Sequence, residues 1–557
     1  MVRKDDDRTG SAIAFKGGAG LLPALPRLTR TTTASHSWAV FLFLCLGLAL
    51  LLRLQGLGGP SLWMDELGSL ALGSLPWGAL LGPVAQLEPN PPGYHLLVKL
   101  LTSLTDTGDS VLRLPSALAG AAAVLPLALF TRRAFGTKAA AIAALLLSLS
   151  AVQIHYSQQA RSYALLFLAA ATALWLLGQL LDPAAPPRRQ RALAAGFVLA
   201  SVLMVHLHTT AVFIVLALYA HAGVVLLASG RMGWRWLGRL AAMGTLILAG
   251  SAWWLVTVFR MTMEPDFVMS WLKAPDLAEA LVVLGNVLGA LYLNLLWGLA
   301  ALICLLLLTA AGWMALRRRQ AEALGLIAGL ATGAAALIGM SQLSPVMLDR
   351  TALFLLVFAL PLYGFALARM LRPGRGLFWP ALALGALLLA LHARGAANRH
   401  AVMAEQGHRE GWREAVAALE RRIRPGEPVL VLGAYEVAAI PHYAPRLLTA
   451  SPPPLRGLPG REGRLGVMIM DGLAYAAPFD AAELCRLSAR AGGFWTLGRE
   501  NVMAPELAGL ASWMRTRHGS VPVATEEYAQ VVLRHWSPPK AACATAMASG
   551  LEGGRSP

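Results

Sequence analysis

Along most of this chain polar residues arrive in short clusters, separated by long apolar stretches. Those stretches lie at approximately 38–57, 112–131, 138–153, 163–181, 192–207, 209–228, 240–258, 292–316, 322–340, 351–370 and 377–392. A helix crossing the hydrocarbon core of a bilayer needs about 20 mostly apolar residues, so the pattern predicts eleven transmembrane helices, 138–153 being short for a span. Two shorter apolar stretches, 93–104 and 277–290, are read as interfacial or re-entrant helices. Counting both as spans raises the total to thirteen and moves two or three basic clusters to the wrong side, so the expected range is about 11–13.

The basic clusters set the threading, because short cytoplasmic loops carry the excess of Lys and Arg. The N-terminal tail holds Arg3, Lys4, Arg8, Lys16, Arg27 and Arg30. Later clusters are Arg132, Arg133 and Lys138; Arg188, Arg189 and Arg191; Arg231, Arg235 and Arg239; Arg317, Arg318 and Arg319; and Arg369, Arg372 and Arg375. With all of them facing the cytoplasm, residues 1–37 form a cytoplasmic tail and 38–392 the membrane part, with a first outer loop at about 58–111. Nearly every acid and histidine of the membrane part then falls in the outer connections: Asp65-Glu66, the Glu88 segment, Gln153 to Arg161, His206-Leu207-His208, Glu264 to Asp266, and Asp349-Arg350.

After about residue 393 the pattern changes to alternating helix and strand signals: a helix at 411–423, strands at 428–434 and in GVMIMD, a helix near 480–491, a strand near 493–498, a helix near 504–518 and a strand near 527–535. This predicts a small soluble α/β domain at 393–557, on the outer side because the last crossing ends there. The fold class is therefore an α-helical polytopic membrane protein with a small C-terminal α/β domain.

Composition agrees with lipid as the main surroundings. Of 557 residues, 57% are hydrophobic and 14% charged, against about 45–50% and 25% in soluble domains. The formal charge of +17 is dispersed in loop clusters rather than gathered on one face, which argues against a nucleic-acid partner. Cys45 and Cys304 lie within apolar stretches and read as small buried hydrophobes; Cys485 and Cys543 fall in the outer domain, where a disulfide is compatible with the compartment. No C-x-x-C spacing marks a zinc site.

The chemistry-bearing residues sit in the outer connections. Asp65 and Glu66 follow the first span after Gly56, Gly58, Gly59 and Pro60; a carboxylate there suits a general base acting on an acceptor hydroxyl, the alternative being a solvated loop. In Glu88-Pro-Asn-Pro-Pro-Gly-Tyr-His, three prolines stiffen the chain around Glu88 and Asn90, although Pro and Asn also serve at ordinary helix starts. Arg161, in the polar run Gln153 to Tyr163, has the planar fork that matches phosphate oxygens, or is an interfacial arginine. His206 and His208, two residues apart, do not share a helix face and lack a third metal ligand. Asp349-Arg350 reads equally as a self-satisfied ion pair or a phosphate contact, while Arg53 and Lys99 read as snorkelling cations.

The order and spacing of LRLQGLGGPSLWMDELGS, EPNPPGYHLLVKLL, VLRLPSALAGAAAVLPLALFTRRAFG and LLLSLSAVQIHYSQQARSYALLFL resemble the bacterial relatives of protein O-mannosyltransferases and aminoarabinose transferases, glycosyltransferases of the GT-C fold. The resemblance covers roughly residues 50–180 strongly and continues weakly through HLHTTA and LSPVMLDRTALFLLVFALP. The segment WREAVAALERRIRPGEPVLVLG resembles the start of the soluble domain many relatives carry. It implies a bacterial inner-membrane enzyme that moves a sugar from a polyprenyl-phosphate carrier to a lipid, glycan or protein acceptor, on the outer face and with inversion. It implies Asp65 as the base and Glu88 as a second catalytic acid, with Asn90 standing where relatives often have His. Arg161 is implied as the ligand of the donor phosphate. The substrate-binding set drawn from the same segments is Glu66, Asn90, Tyr94, His155, Tyr156, Gln159, Arg161, His206, His208 and Arg350. No cofactor is required, and a divalent metal has no support. The competing readings are a lipid or sugar transporter, whose polar groups would sit at mid-membrane on broken helices, and a family member without catalysis.

Overall fold

The apolar stretches fold as helices because lipid supplies no hydrogen-bond partner, so each backbone must satisfy its own groups. The structure, a computed structural model, describes residues 29–82, 90–105, 108–184, 186–262, 273–374, 376–407, 410–433, 435–447, 467–471, 475–478, 481–499 and 519–537. Along the chain, α1 (Thr29–Leu54) is followed by three short helices, α2 (Met64–Ser74), α3 (Trp77–Leu81) and α4 (Gly93–Leu104). Then come α5 (Asp109–Ala122) and α6 (Val124–Phe135), which make one span, and α7 (Thr137–Leu149) and α8 (Ala151–Ser157), a pair bent by 54°. Four long helices follow: α9 (Tyr163–Leu180), α10 (Pro187–Leu207), α11 (Ala211–Ala228) and α12 (Trp234–Thr262). After the short α13 (Leu277–Gly285) come α14 (Trp297–Arg318), α15 (Ala321–Leu343), the one-turn α16 (Asp349–Ala352) leading into α17 (Leu356–Met370), and α18 (Phe378–Gln406).

Among the described residues ten helical segments are long and apolar enough to cross a membrane, and the α7–α8 pair brings the number to 11 if counted as one span. This is a polytopic membrane protein, and each of the eleven apolar stretches read from the sequence corresponds to one of these segments. The 93–104 and 277–290 stretches fold as α4, only 12 residues long, and as α13 with a π-helical turn after it; both are too short to span. The chain divides at Phe41/Leu42 into two units. Of the first, helical residues 29–41 are described, with the Trp38 and Phe41 rings stacked 6.4 Å apart.

Within the second unit, the Asp349–Met370 span has 94% of its apolar window buried, whereas Trp234–Met261 has 22%. α17 is thus central and α12 peripheral. Exposed Leu246, Leu248 and Phe259 on α12 present the apolar surface that lipid covers. α18 does not end where the apolar pattern fades at residue 392. It continues because its later polar side chains find partners inside: Asn398 Nδ2 donates to the Tyr292 carbonyl at 2.9 Å, and Arg399 donates to Gln158 Oε1.

Arg53 corrects the snorkelling expectation. It is fully buried and donates to the carbonyls of Leu147 (3.3 Å) and Ser148 (3.4 Å) at the α7–α8 bend and to Ser157 Oγ (3.2 Å). A β-carbon at Gly120 would stand 2.0 Å from Ser157 Oγ and 2.9 Å from Arg53 Nε, so only glycine admits this contact. Lys99 likewise turns inward, donating to the Leu75 carbonyl at the end of α2 (2.5 Å).

The C-terminal region adds α19 (Trp412–Arg422), β1 (Val429–Leu432), α20 (Ala439–Tyr443), β2 (Val467–Asp471), β3 (Tyr475–Pro478), α21 (Ala481–Ala491), β4 (Phe494–Gly498), β5 (Pro522–Tyr528) and β6 (Val531–Trp536). The sheet order is β3-β2-β1-β4-β6-β5, with β1 and β4 parallel and the other neighbours antiparallel. β1 is buried at every position, as a central strand covered on both faces must be. Two strands occupy the region read as one near 527–535: β5 and β6 form a hairpin turning at Ala529, whose φ is 56°. The helix expected near 504–518 lies outside the described residues. Cys485 is disulfide-bonded, while Cys45 and Cys304 are free and buried. The domain shares one hydrophobic core with the first loop: Leu62, Leu67, Ala71, Tyr94 and Val98 pack with Trp412, Val416, Val429 and Leu497.

Candidate active site at one end of the bundle

Glycines and a proline after α1 end the helix and start the loop that carries the site; Gly56 has φ 69°, a conformation costly for other residues. The loop is then held from three sides. Glu66, fully buried, accepts from Arg113 Nε (2.8 Å) and Nη2 (2.6 Å), from the Ala160 amide (2.7 Å) and from the Trp63 amide (3.3 Å). Arg113, also fully buried, donates in addition to the carbonyls of Leu57, Pro60 and Ser61. One ion pair thus fixes the loop, the start of α2 and the segment before Arg161. From the domain side, Glu410 accepts from the Met64 amide at 2.8 Å. Arg499 bridges Glu410 and Glu436 at 3.1 Å each and donates to Met64 Sδ. Burial raises the carboxyls of Glu410 and Glu436 above their ordinary value, with Arg499 opposing it. A third anchor is Asp109, which accepts from Arg413, from His442 Nε2 (2.6 Å) and from Tyr443 OH (3.0 Å).

Asp65, next to Glu66 in the first turn of α2, is directed differently. Its Oδ2 lies 3.5 Å from Arg350 Nη1, with 15% of the Asp65 side chain and 21% of the Arg350 side chain exposed, so the pair remains reachable. Arg161 Nη1 donates to the Asp65 carbonyl and to Ser69 Oγ, both at 3.2 Å, and its guanidinium stands 5.9 Å from the Tyr163 ring centre. Arg350 interacts electrostatically with Tyr163, Asp65, Tyr156 and Arg161. Asp349 accepts from Asn286 Nδ2 at 3.3 Å and is also acted on by the charge of Arg350, which reaches Asp65 as well.

An aromatic row lines this group. Tyr156 meets Tyr163 edge-on at 5.4 Å, Tyr163 lies 5.7 Å from His208, and His155 is 4.8 Å from Tyr156. His208 is buried and pushed down to about 3, first by burial and then by the charges of Arg161 and Arg350, so it is neutral at physiological pH. Its Nδ1 accepts from the Thr210 amide at 3.3 Å, which places its own proton on Nε2. Gln159 Nε2 stands 2.9 Å from His155 Nε2, and the other ring nitrogen of His155 stands 2.9 Å from Tyr292 OH. Tyr94 sits one layer behind, its hydroxyl 3.3 Å from Ser116 Oγ, which donates to the Arg161 carbonyl at 2.9 Å.

The structure therefore brings together Asp65, His155, Tyr156, Gln159, Arg161, His208 and Arg350. It places Glu66 and Tyr94 behind them in buried contacts. His206 faces elsewhere, bonded to the Val202 carbonyl at 2.9 Å and stacked on Trp253. Asn90 is partly buried where the chain enters α4, and Glu88 lies outside the described residues. Sequence reasoning missed Tyr163 and Tyr292; the latter has φ 66°, and such backbone strain clusters at functional sites. Arg113, Glu410 and Arg499 were missed too, although a charge inside an apolar stretch was a usable signal for Arg113. Among the described residues no group of three His, Cys, Asp or Glu side chains is placed to hold a metal ion.

Residues 89–258 match the family model described as dolichyl-phosphate-mannose-protein mannosyltransferase. No curated protein matches the chain. Among solved structures, ArnT from Cupriavidus metallidurans in the apo state is 16% identical with a TM-score of 0.57, the match covering 90% of this chain and 98% of that one. The same protein bound to undecaprenyl phosphate gives 15% identity, the same coverage and a TM-score of 0.57. The archaeal oligosaccharyltransferase AglB from Archaeoglobus fulgidus, in complex with an inhibitory peptide and a dolichol-phosphate, is 13% identical with a TM-score of 0.50, over 86% of this chain and 71% of that one. At these identities the likeness is one of fold. The chain has the GT-C fold, with its small C-terminal sheet region, and resembles the protein O-mannosyltransferase and aminoarabinose transferase type.

Proposed function

We propose that this chain is a membrane glycosyltransferase that takes a sugar from a polyprenyl-phosphate carrier and gives it to a lipid, glycan or protein acceptor. The observation that carries the reading is the meeting of one accessible carboxylate, Asp65, with two guanidinium groups, Arg161 and Arg350, where the spans end. A carrier with a hydrocarbon tail presents its reacting carbon at the membrane boundary, and this end of the bundle lies there. The family-model match and the likeness to a structure holding undecaprenyl phosphate support the same donor class.

In this reading Asp65 removes the proton from the acceptor as its oxygen attacks the anomeric carbon. The bond from that carbon to the phosphate oxygen breaks on the opposite face, giving inversion. The departing phosphate gains charge, which Arg161 and Arg350 stabilise through charge-assisted hydrogen bonds. Tyr156, Tyr163 and neutral His208 line the sugar, with His155 and Gln159 beside them. Glu88 is retained as a second acid, Asn90 as a substrate contact. Glu66 and Tyr94 act from behind, by holding Asp65 and Arg161. The enzyme works on the outer face of a bacterial inner membrane, with the N-terminus cytoplasmic and the domain after residue 393 outside.

Asp65→Asn tests the assignment in purified protein supplied with polyprenyl-phosphate sugars. Sugar transfer should fall by about 10²–10⁴-fold, the range for losing a positioned base, while thermal unfolding in detergent stays near wild type. Transfer at the wild-type rate would remove Asp65 from the chemistry.

A further inference from the structure

A cavity of about 560 Å³ lies between the loop after α1, the last two turns of α18 and the domain. It is separate from the Asp65 site. Ser61 and Glu410 form part of its wall, joined by a hydrogen bond from Ser61 Oγ to the Glu410 carbonyl at 2.5 Å, whereas Asp65, Arg161 and Arg350 do not line it.

Its charges are ordered along the helix axis. At the membrane end stand Arg399, 2% exposed, and His400. Arg399 spends one nitrogen on Gln158 Oε1; its Nε is buried without a partner, as is Nε2 of His400. No carboxylate pairs with Arg399 among the described residues. A buried guanidinium without a counter-ion is costly, and the Nε edge belongs to the fork that matches oxyanions. At the outer end the lining turns acidic, with exposed Glu405 and Glu414, and the carbonyl end of α18 adds partial negative charge. Met403 supplies an apolar wall between. Arg399 and Glu405 are separated by six residues of helix, a rise of about 9 Å, within reach of a short dipolar group contacted by long side chains.

We propose that this cavity binds a zwitterionic phospholipid headgroup of the phosphate-plus-ammonium type, its phosphate on Arg399 and His400 and its ammonium toward Glu405 and Glu414. Phosphate inward and ammonium outward is the order in which such a lipid presents these groups at a membrane surface. Gln158, the partner of Arg399, also donates to the carbonyls of Arg53 and Gln55 at 2.8 Å each, which ties the Arg399 end of the cavity to the end of α1.

Native mass spectrometry of the full-length protein, delipidated in detergent, tests this with dioleoyl phosphatidylethanolamine, dioleoyl phosphatidylglycerol and soluble O-phosphoethanolamine. Wild type should retain one phosphatidylethanolamine at least tenfold more tightly than phosphatidylglycerol. Arg399→Gln should weaken that binding at least tenfold. Because Arg399 is buried, Met403→Trp, which fills the cavity from a partly exposed position, gives the same loss without touching the Gln158 contact. Glu405→Gln with Glu414→Gln should abolish the preference for the ammonium headgroup and leave phosphatidylglycerol binding unchanged. Asp65→Asn should bind as wild type does, which separates this site from the sugar-transfer reading. Equal retention of the two lipids by wild type, or undiminished binding in Met403→Trp, overturns the proposal. O-phosphoethanolamine binding as tightly as the lipid overturns the lipid as the source of the headgroup.

Discussion

The two ends of the helix bundle use arginine in opposite ways. At one end Arg113 is fully buried against Glu66, and Arg350 and Arg161 close on Asp65. At the other, Arg133 reaches Glu322 at 2.9 Å and Asp182 at 3.7 Å, Arg189 reaches Gln179, and Arg239 reaches Gln190 at 3.1 Å. All of those contacts are at least partly exposed to solvent. The residue type is the same, but the surroundings decide its role. Where water remains, a cation marks the membrane boundary and adds little to stability. Where water is excluded, each cation is held by fixed acceptors, Glu66 for Arg113 and the Asp65 carboxylate and carbonyl for Arg350 and Arg161.

The sharpest way to break this contrast is to remove the answering charge. Glu66→Ala leaves Arg113 buried without its carboxylate, which costs about 3–5 kcal/mol for a buried pair losing one partner. It also frees the Ala160 and Trp63 amides, so both sides of the site loosen together. Thermal or denaturant unfolding in detergent should show the loss. A change below about 1 kcal/mol would place this pair with the boundary cations. Next in size is Arg350→Gln, which spares the Glu66–Arg113 frame but removes a charge-assisted bond worth about 1.5–3 kcal/mol. Steady-state kinetics with the lipid-linked donor should show kcat/KM falling about tenfold to a hundredfold, with the unfolding temperature unchanged. Unaltered kinetics would remove Arg350 from the donor site.

How much of this end was readable in the chain follows from how its contacts are made. Asp65 and Arg161 stand in short polar runs that interrupt apolar stretches, so their position at a helix end was visible, as was the number of spans. Arg350 was ambiguous because its neighbour Asp349 offered an equally simple partner, and only the fold gives that acid to Asn286. Arg499 contacts Met64 from 435 residues away, a distance at which no local pattern operates. The β5–β6 hairpin escaped notice because its turn uses Ala529 at positive φ instead of the glycine or asparagine that normally signals one. Arg53 was misread because an arginine near a helix end usually snorkels; the bend that supplies its acceptors is a tertiary feature.

A smaller effect sharpens the contrast through pH. His208 is held neutral, its ordinary value of 6.5 pushed down to about 3, and His95 behaves alike, through burial and the charge of Arg161. The unfolded chain takes up protons below 6.5 that the folded one refuses. Stability is therefore fully present above that value and is lost as pH falls from 6.5 toward 3. The slope is at most about 1.4 kcal/mol per pH unit for each such histidine. His208→Asn should flatten the unfolding-temperature profile below pH 6.5 by up to half of the part these two histidines contribute. An unchanged profile would mean that His208 is hydrated in the folded protein.

The smallest expected effect is the control for the far end. Arg133 keeps 27% of its side chain exposed and Glu322 keeps 20%, so water and ions screen the pair, and ordering two long side chains offsets much of what attraction remains. Arg133→Ala should cost less than about 1 kcal/mol and leave transfer kinetics alone. Raising the salt concentration should shrink even this difference, because a screened pair loses its attraction while a dry one keeps it. If instead Arg133→Ala destabilised the protein as much as Glu66→Ala, and did so equally at high salt, the far end would be as dry as the near one. The distinction between boundary cations and site cations would then have to rest on position along the chain alone.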